Sequence, residues 1–300
     1  MAGVIPGSLE SGGLKLLYPY TIDDAALASS SIAEADYPAW VSGASYAAGA
    51  RVIRTTTHKV YERPVAGSST TPPEDDVVTW VEISSTNRWR MFDLSVGSAS
   101  SAASPLTVGL TLGPVNDVVL LNVVGTTVTI TKPGGAQVSK AVPAEAIAGE
   151  GSPVIFTGLG GSSGTYTISV VGSGTVSVGS ACLGAFISIG SCDYGTSLGI
   201  TDYSSKAFDT YGSITLVQRD FSRRMSVPVT VASSNLDQTV NILAAVRSTP
   251  VIWVGVQSIG STIIFGYPRD WSFRVDSTNV SSGTINLESL AVGSLPPTGS

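Results

Sequence analysis

Between residues 118 and 178 the chain repeats one arrangement, in which a short β-branched run is stopped by a glycine turn. Residues 118–124, 126–131, 154–156, 165–171 and 175–178 are rich in Val, Ile and Thr, and Gly125-Thr126, Pro133-Gly134-Gly135 and Gly172-Ser173-Gly174 interrupt them. Branched Cβ atoms lose rotamer freedom in a helix and pack well on a pleated surface, while glycine supplies the positive φ that tight hairpins need. Residues 94–190 are therefore expected to form a β-sandwich or jelly-roll-like domain. At 300 residues the chain is longer than one usual domain.

The flanking regions carry the same signature with different punctuation. From Tyr37 the strands are shorter: residues 51–54 and 59–62 pair plausibly, and a Pro- and Asp-bearing loop over 67–76 leads to a third at 79–83, which predicts a small β-module over residues 36–93. Residues 191–300 read as a β-rich C-terminal domain with one helix, because Leu236, Val240, Leu243 and Ala244 recur at helical spacing and Pro250 bars continuation. Residues 1–35 read as an N-terminal docking arm: Leu14 to Tyr20 is apolar, and Thr21 with Asp24 predicts an N-capped short helix over the alanines that follow. The fold class expected is mainly β. No period of 20 to 30 residues recurs, which argues against a β-helical solenoid.

Composition narrows the function. A net charge of −6 repels phosphate backbones, so nucleic acid is not an expected partner. Residues 1–17 lack a basic segment followed by an apolar core, and no later stretch approaches the ~20 apolar residues that span a bilayer, so no membrane insertion is expected. Charged residues make up 13% of the chain against about a quarter in ordinary soluble domains, which suggests that much of the surface faces other subunits. In the basic cluster Arg219-Asp220-Phe221-Ser222-Arg223-Arg224, the residues Arg219, Arg223 and Arg224 are candidates for pairing with carboxylates of a neighbouring subunit, with an anionic glycan or a solvated ion-pair set as alternatives.

Enzymatic chemistry is not expected. The lone His58 has no Cys or His at ligand spacing and reads as a structural or exposed strand histidine, so no metal and no cofactor are implied. Asp23-Asp24 and Glu74-Asp75-Asp76 are neighbouring loop carboxylates rather than an opposed pair across a cleft. Glycine-rich stretches lack the Lys-Ser/Thr ending of a phosphate loop. Cys182 and Cys192 are expected to be buried free thiols. Trp40, Tyr46, Tyr61 and Trp80 crowd one small module and form a candidate carbohydrate platform, with Tyr46 and Trp80, each beside a turn or loop, expected to be exposed. The competing reading is that these rings are the module's own core.

Two resemblances bear on these residues. The succession Trp40, Ser45-Tyr46-Ala47-Ala48-Gly49, Val52, Val60-Tyr61, Pro72-Pro73 and Trp80 resembles the small chitin-binding-type carbohydrate-binding modules of chitinases and cellulases, although Glu62-Arg63-Pro64 stands where an aromatic pair often follows. Next to it, Thr86-Asn87-Arg88-Trp89-Arg90-Met91-Phe92-Asp93 resembles a segment of tail proteins of double-stranded DNA bacteriophages, and residues 198–206, 208–212, 217–224 and 251–255 are similar to that family too. The resemblance implies a non-enzymatic structural component of a phage tail or baseplate, located in the virion and assembled in the host cytoplasm. Its partners would be other tail proteins and copies of itself, with host cell-surface glycan as a further candidate. Two alternatives stand beside it: a purely architectural tail or fibre adaptor without sugar binding, and an accessory carbohydrate-binding protein of a secreted polysaccharide-degrading system.

Overall fold

The computed structural model describes residues 13–93, 95, 97–144, 152–193, 195–208, 210–256 and 259–290. Among these the chain is mainly β with a single α-helix, Leu236–Ala245. The first twelve residues of the expected arm, and Val96 and Asp209, lie outside the described residues.

The C-terminal half builds an antiparallel barrel. Its strands run in the order Phe186–Cys192, Gly13–Leu17, Val251–Val254, Ile263–Val275, Val280–Ser289 and Phe221–Ala232. Ser191 opposite Thr230 and Cys192 opposite Val229 close the ring. Alternation along each strand sends Leu14, Leu16, Met225, Val227, Trp253, Ile264, Ile285 and Leu287 inward, and Leu243 and Val246 from the helix region complete this core. At Gly266 a Cβ would lie 2.0 Å from the Glu288 carbonyl oxygen, so only glycine allows these strands to approach as they do.

The sandwich is made of two layers. Ser152–Phe156, Asp117–Val123 and Ser180–Gly184 form one sheet, and Gln137–Ala141, Thr127–Thr131, Gly164–Val171, Leu106–Leu112 and Leu27–Ser30 form the other. Val118 and Leu120 point between the layers with Leu110, Ile130, Phe156 and Tyr166. Val119 and Leu121 point the opposite way, against Leu17, Ile252, Val254, Ile263 and Phe265 on the outside of the barrel. The uninterrupted apolar runs at 118–121 and 251–254 thus have a single cause: each strand is covered on both faces. A buried carboxylate links the two bodies, since Asp117 Oδ2 accepts the Phe186 N–H at 2.8 Å and Oδ1 accepts the Gly158 N–H at 3.3 Å.

Three expectations change. The segment read as a docking arm contributes Gly13–Leu17 to the barrel wall and Leu27–Ser30 to the edge of the sandwich, so it docks within its own chain. No helix forms over residues 21–28: Asp23 closes one turn by accepting the Ala26 N–H at its carboxylate (2.9 Å) and the Leu27 N–H at its carbonyl (3.0 Å), after which the backbone joins Leu106–Leu112. So short an alanine run cannot offset helix nucleation, whereas an open sheet edge offers immediate pairing. Phe186–Cys192, expected at the end of the sandwich, is a barrel strand. Both cysteines are free; Cys182 is buried, and burial pushes its thiol up to about 12.

Trp253 is fully buried in the barrel, and its Nε1–H donates to the Gly266 carbonyl at 3.2 Å. Trp253→Ala is expected to destabilise the protein by about 3–5 kcal/mol, with part of the loss from the cavity and part from the orphaned carbonyl. The shift of the denaturant midpoint, read by far-UV circular dichroism, checks this.

Candidate functional site

The module at residues 36–93 is held by a three-stranded sheet, Ala50–Arg54, Lys59–Arg63 and Val81–Ser85, and a two-stranded one, Ser45–Tyr46 with Gly67–Ser68. The structure brings Trp40, Tyr46, Tyr61 and Trp80 together, but around one small core with Val52. Trp80 is 2% exposed and Tyr61 5% exposed. This corrects the expectation that Trp80 presents its face to solvent. Tyr46 meets Trp80 edge-on at 5.1 Å, and its hydroxyl accepts the Val41 N–H at 2.7 Å.

The chemistry that covers these rings is cationic. Arg63, itself only 5% exposed, lies 5.2 Å from the Trp80 ring centroid and donates Nε–H to the Val65 carbonyl at 3.1 Å. Arg63 belongs to the Glu62-Arg63-Pro64 segment, and its guanidinium lies over one face of the Trp80 ring. Arg54 covers Trp40 at 5.1 Å and is fixed by a fork to Glu74, with Nη2 to Oε1 at 2.6 Å and Nε to Oε2 at 3.0 Å. The Arg54 guanidinium holds the Glu74 carboxyl below its ordinary value. The module's exposed apolar side chains are aliphatic instead, with Val77, Val78, Val81 and Ile83 close in sequence and Val41 and Val65 apart from them.

The octapeptide at residues 86–93 is a clasp between module and sandwich. The Asn87 side-chain amide exchanges two hydrogen bonds with the Ser101 backbone, each 2.8 Å, and its backbone N–H donates to Asp36 at 2.6 Å. Arg88 Nε–H donates to the Ile32 carbonyl at 2.8 Å, and Met91 inserts into the sandwich core. Trp89 stacks on His58 at 4.0 Å. His58 sits in a turn at φ 57° rather than on the expected strand, between Glu34 at 3.0 Å and Asp24 at 3.2 Å. Burial raises the Asp93 carboxyl, whose oxygens take the Ser95 N–H and the Ser98 hydroxyl.

The second candidate surface surrounds the basic cluster. Ser197–Asp202 is the outermost strand of the barrel sheet, and beyond it a hairpin, Ser205–Phe208 with Ile214–Val217, pairs with no other strand among the described residues. Phe208 lies opposite Ile214 and Lys206 opposite Leu216, so these side chains share one face. Phe208, Ile214 and Leu216 are 72%, 50% and 63% exposed. The base of the hairpin is anchored: the Tyr203 hydroxyl lies 3.1 Å from the Ser222 hydroxyl, and Glu288 accepts from both.

The basic residues separate. Arg219 and Arg224 are exposed at this end. Arg223 is 8% exposed and gives its guanidinium to the Ser261 carbonyl, so it is not available to a neighbouring subunit. Burial follows from strand alternation, because Arg223 shares its side of Phe221–Ala232 with Met225, Val227 and Val229. Reading that alternation back one step from Met225 would have placed it inside. The exposed hairpin face left a signal too, in the apolar Phe208, Ile214 and Leu216 with no second apolar set to cover them. Compared with known proteins, the chain matches no family model and no curated protein.

Trp80→Ala is expected to loosen the module selectively, costing about 3–5 kcal/mol of its local stability. Limited proteolysis should then cut within residues 36–93 first, while barrel unfolding stays near wild type. A pH effect follows from Glu74. Its folded pKa is depressed, so the stabilisation is complete above the ordinary carboxyl value of ~4.3 and is lost as pH falls through the lower folded value. Acid titration of module unfolding, compared with Glu74→Gln, should show this loss in the wild type and its absence in the variant.

Proposed function

We propose that this chain is a non-enzymatic, architectural component of a bacteriophage tail or baseplate, working through self-assembly and contacts with other tail proteins. One observation carries the assembly reading: among the described residues the hairpin Ser205–Phe208 with Ile214–Val217 pairs with no other strand, and Phe208, Ile214 and Leu216 on one of its faces are exposed. An isolated two-stranded hairpin is at best marginally stable in water, and an exposed apolar face of this kind marks a protein contact. The similarity of residues 86–93, 198–206, 208–212, 217–224 and 251–255 to phage tail proteins supports placing that assembly in a virion, formed in the host cytoplasm.

Within this reading the module is an architectural element rather than a glycan receptor. Trp80 and Tyr61 are buried, Arg63 covers the indole, and the clasp at residues 86–93 fixes the module to the sandwich. Aliphatic side chains in place of open aromatic faces suit protein contacts better than pyranose stacking.

The reading is tested on purified particles. Antibodies against the chain should decorate tails in electron micrographs, and quantitative mass spectrometry should return several copies per particle. A protein absent from tails, or present as a strictly single copy, would sink the proposal. Glycan-array binding by the full chain that falls when Tyr46 is changed to Ala, with the fold intact, would instead restore the sugar-binding role.

A further inference from the structure

Among the described residues several strands lie at open sheet edges, and two of these edges each carry a pair of exposed branched aliphatic side chains. Ser197–Asp202 bonds only to Phe221–Ala232 and leads into the uncovered hairpin. Val81–Ser85 bonds only to Lys59–Arg63 and is the outer strand of the module sheet. Open edges with apolar side chains pair readily with another chain, and natural proteins protect them with charge, proline or cover. Here Val81 and Ile83 are 48% and 43% exposed, and Val77 and Val78 just before them are 80% and 92% exposed. These four aliphatic side chains within seven positions form the module's largest uncovered apolar run.

We infer that the hairpin of one copy docks along the Val81–Ser85 edge of a second copy, head to tail. The inference rests on the assembly reading above and names the partner of that surface. Area supports it: with side chains of this class carrying on the order of 200 Å² each when open, the fractional exposures of Leu198, Ile200, Phe208, Tyr211, Ile214 and Leu216 leave on the order of 800 Å², about what each partner gives a stable interface. The receiving edge has less apolar surface and adds unpaired backbone, as in strand addition.

Charge permits this pairing, and coverage of both edges selects it. Of the four carboxylates in residues 74–83, Glu74 is paired with Arg54 and Glu82 with Lys59, which leaves Asp75 and Asp76 to give this edge a small negative charge. At the hairpin end the exposed Lys206, Arg219 and Arg224 balance three Asp, since Arg223 is buried, so this end meets the edge without like-charge repulsion. A two-fold contact between hairpins would leave the module edge bare, whereas the head-to-tail contact covers both. Because the giving and receiving surfaces differ, the contact repeats from copy to copy and produces a ring or an open filament, according to the rotation it imposes.

The test uses the full chain in a Cys192→Ser background, with Cys182 left in place because it is buried. Leu216→Cys and Ile83→Cys are exposed positions whose replacement leaves both cores intact. Mixed and oxidised, the two variants should give a disulfide-linked pair, and a chain carrying both changes should give a ladder. Leu216→Asp and Ile83→Asp should each weaken association about tenfold or more by light scattering. Self-linking of Leu216→Cys in preference to the mixed pair overturns the inference in favour of a two-fold contact. Oligomers that form without the mixed link, or that survive both Asp changes, overturn the inference and leave the assembly reading standing. A wild-type chain that stays monomeric at its solubility limit overturns the inference, and if the chain is also absent from tails the assembly reading falls with it.

Discussion

A strand can be apolar on both faces only where each face is covered, and Asp117–Val123 and Val251–Val254 meet that condition through one another. The outward side chains of the first, Val119 and Leu121, rest on the outward side chains of the second, Ile252 and Val254. Their other faces close the sandwich core and the barrel core. Removing either layer would expose both strands, so sandwich and barrel cannot be stable in isolation in the way their separate cores suggest. Beside this apolar contact the Asp117 carboxylate accepts the Phe186 and Gly158 N–H groups and the Asn116 side-chain amide. Burying that carboxylate is tolerable because each oxygen is met by an N–H.

The module attaches by different means. Its clasp is polar and side-chain rich: the Asn87 amide on a strand backbone, Arg88 on a carbonyl, His58 between two carboxylates. Met91 and Phe92 then extend the link into the sandwich core. Directional contacts of this kind fix the orientation of the module on the sandwich.

Local sequence pattern made the strands legible where neighbours in space are neighbours in sequence. The runs between 118 and 178, the helix at Leu236–Ala245 and the module strands all follow from periodicity and turn chemistry. Gly13–Leu17 was opaque because its partners lie near residues 188 and 253, and five residues cannot announce pairings so distant. Trp80 was misjudged for a related reason: its position beside a loop suggested exposure, while its lid, Arg63, comes from another strand. Arg223 was readable in principle, but a basic cluster invites a surface reading that the alternation of Met225, Val227 and Val229 contradicts. Aromatic and charged residues carry their meaning through what covers them, and cover is a tertiary property.

The strand Phe221–Ala232 leaves the barrel ring partway along its length. It bonds to Val280–Ser289 through nine residue pairs on one edge. On the other edge its first six residues bond to Ser197–Asp202 and only two further pairs close the ring. Both legs of the hairpin therefore emerge side by side from the same end of the sheet. A pull on the hairpin tip moves them together and does not strain the bonds between them. The force passes instead into the nine pairs with Val280–Ser289, which share it in parallel as shear rather than yielding one after another as in peeling. The hairpin is thus rooted as a tensile tether, with the barrel as its anchor block.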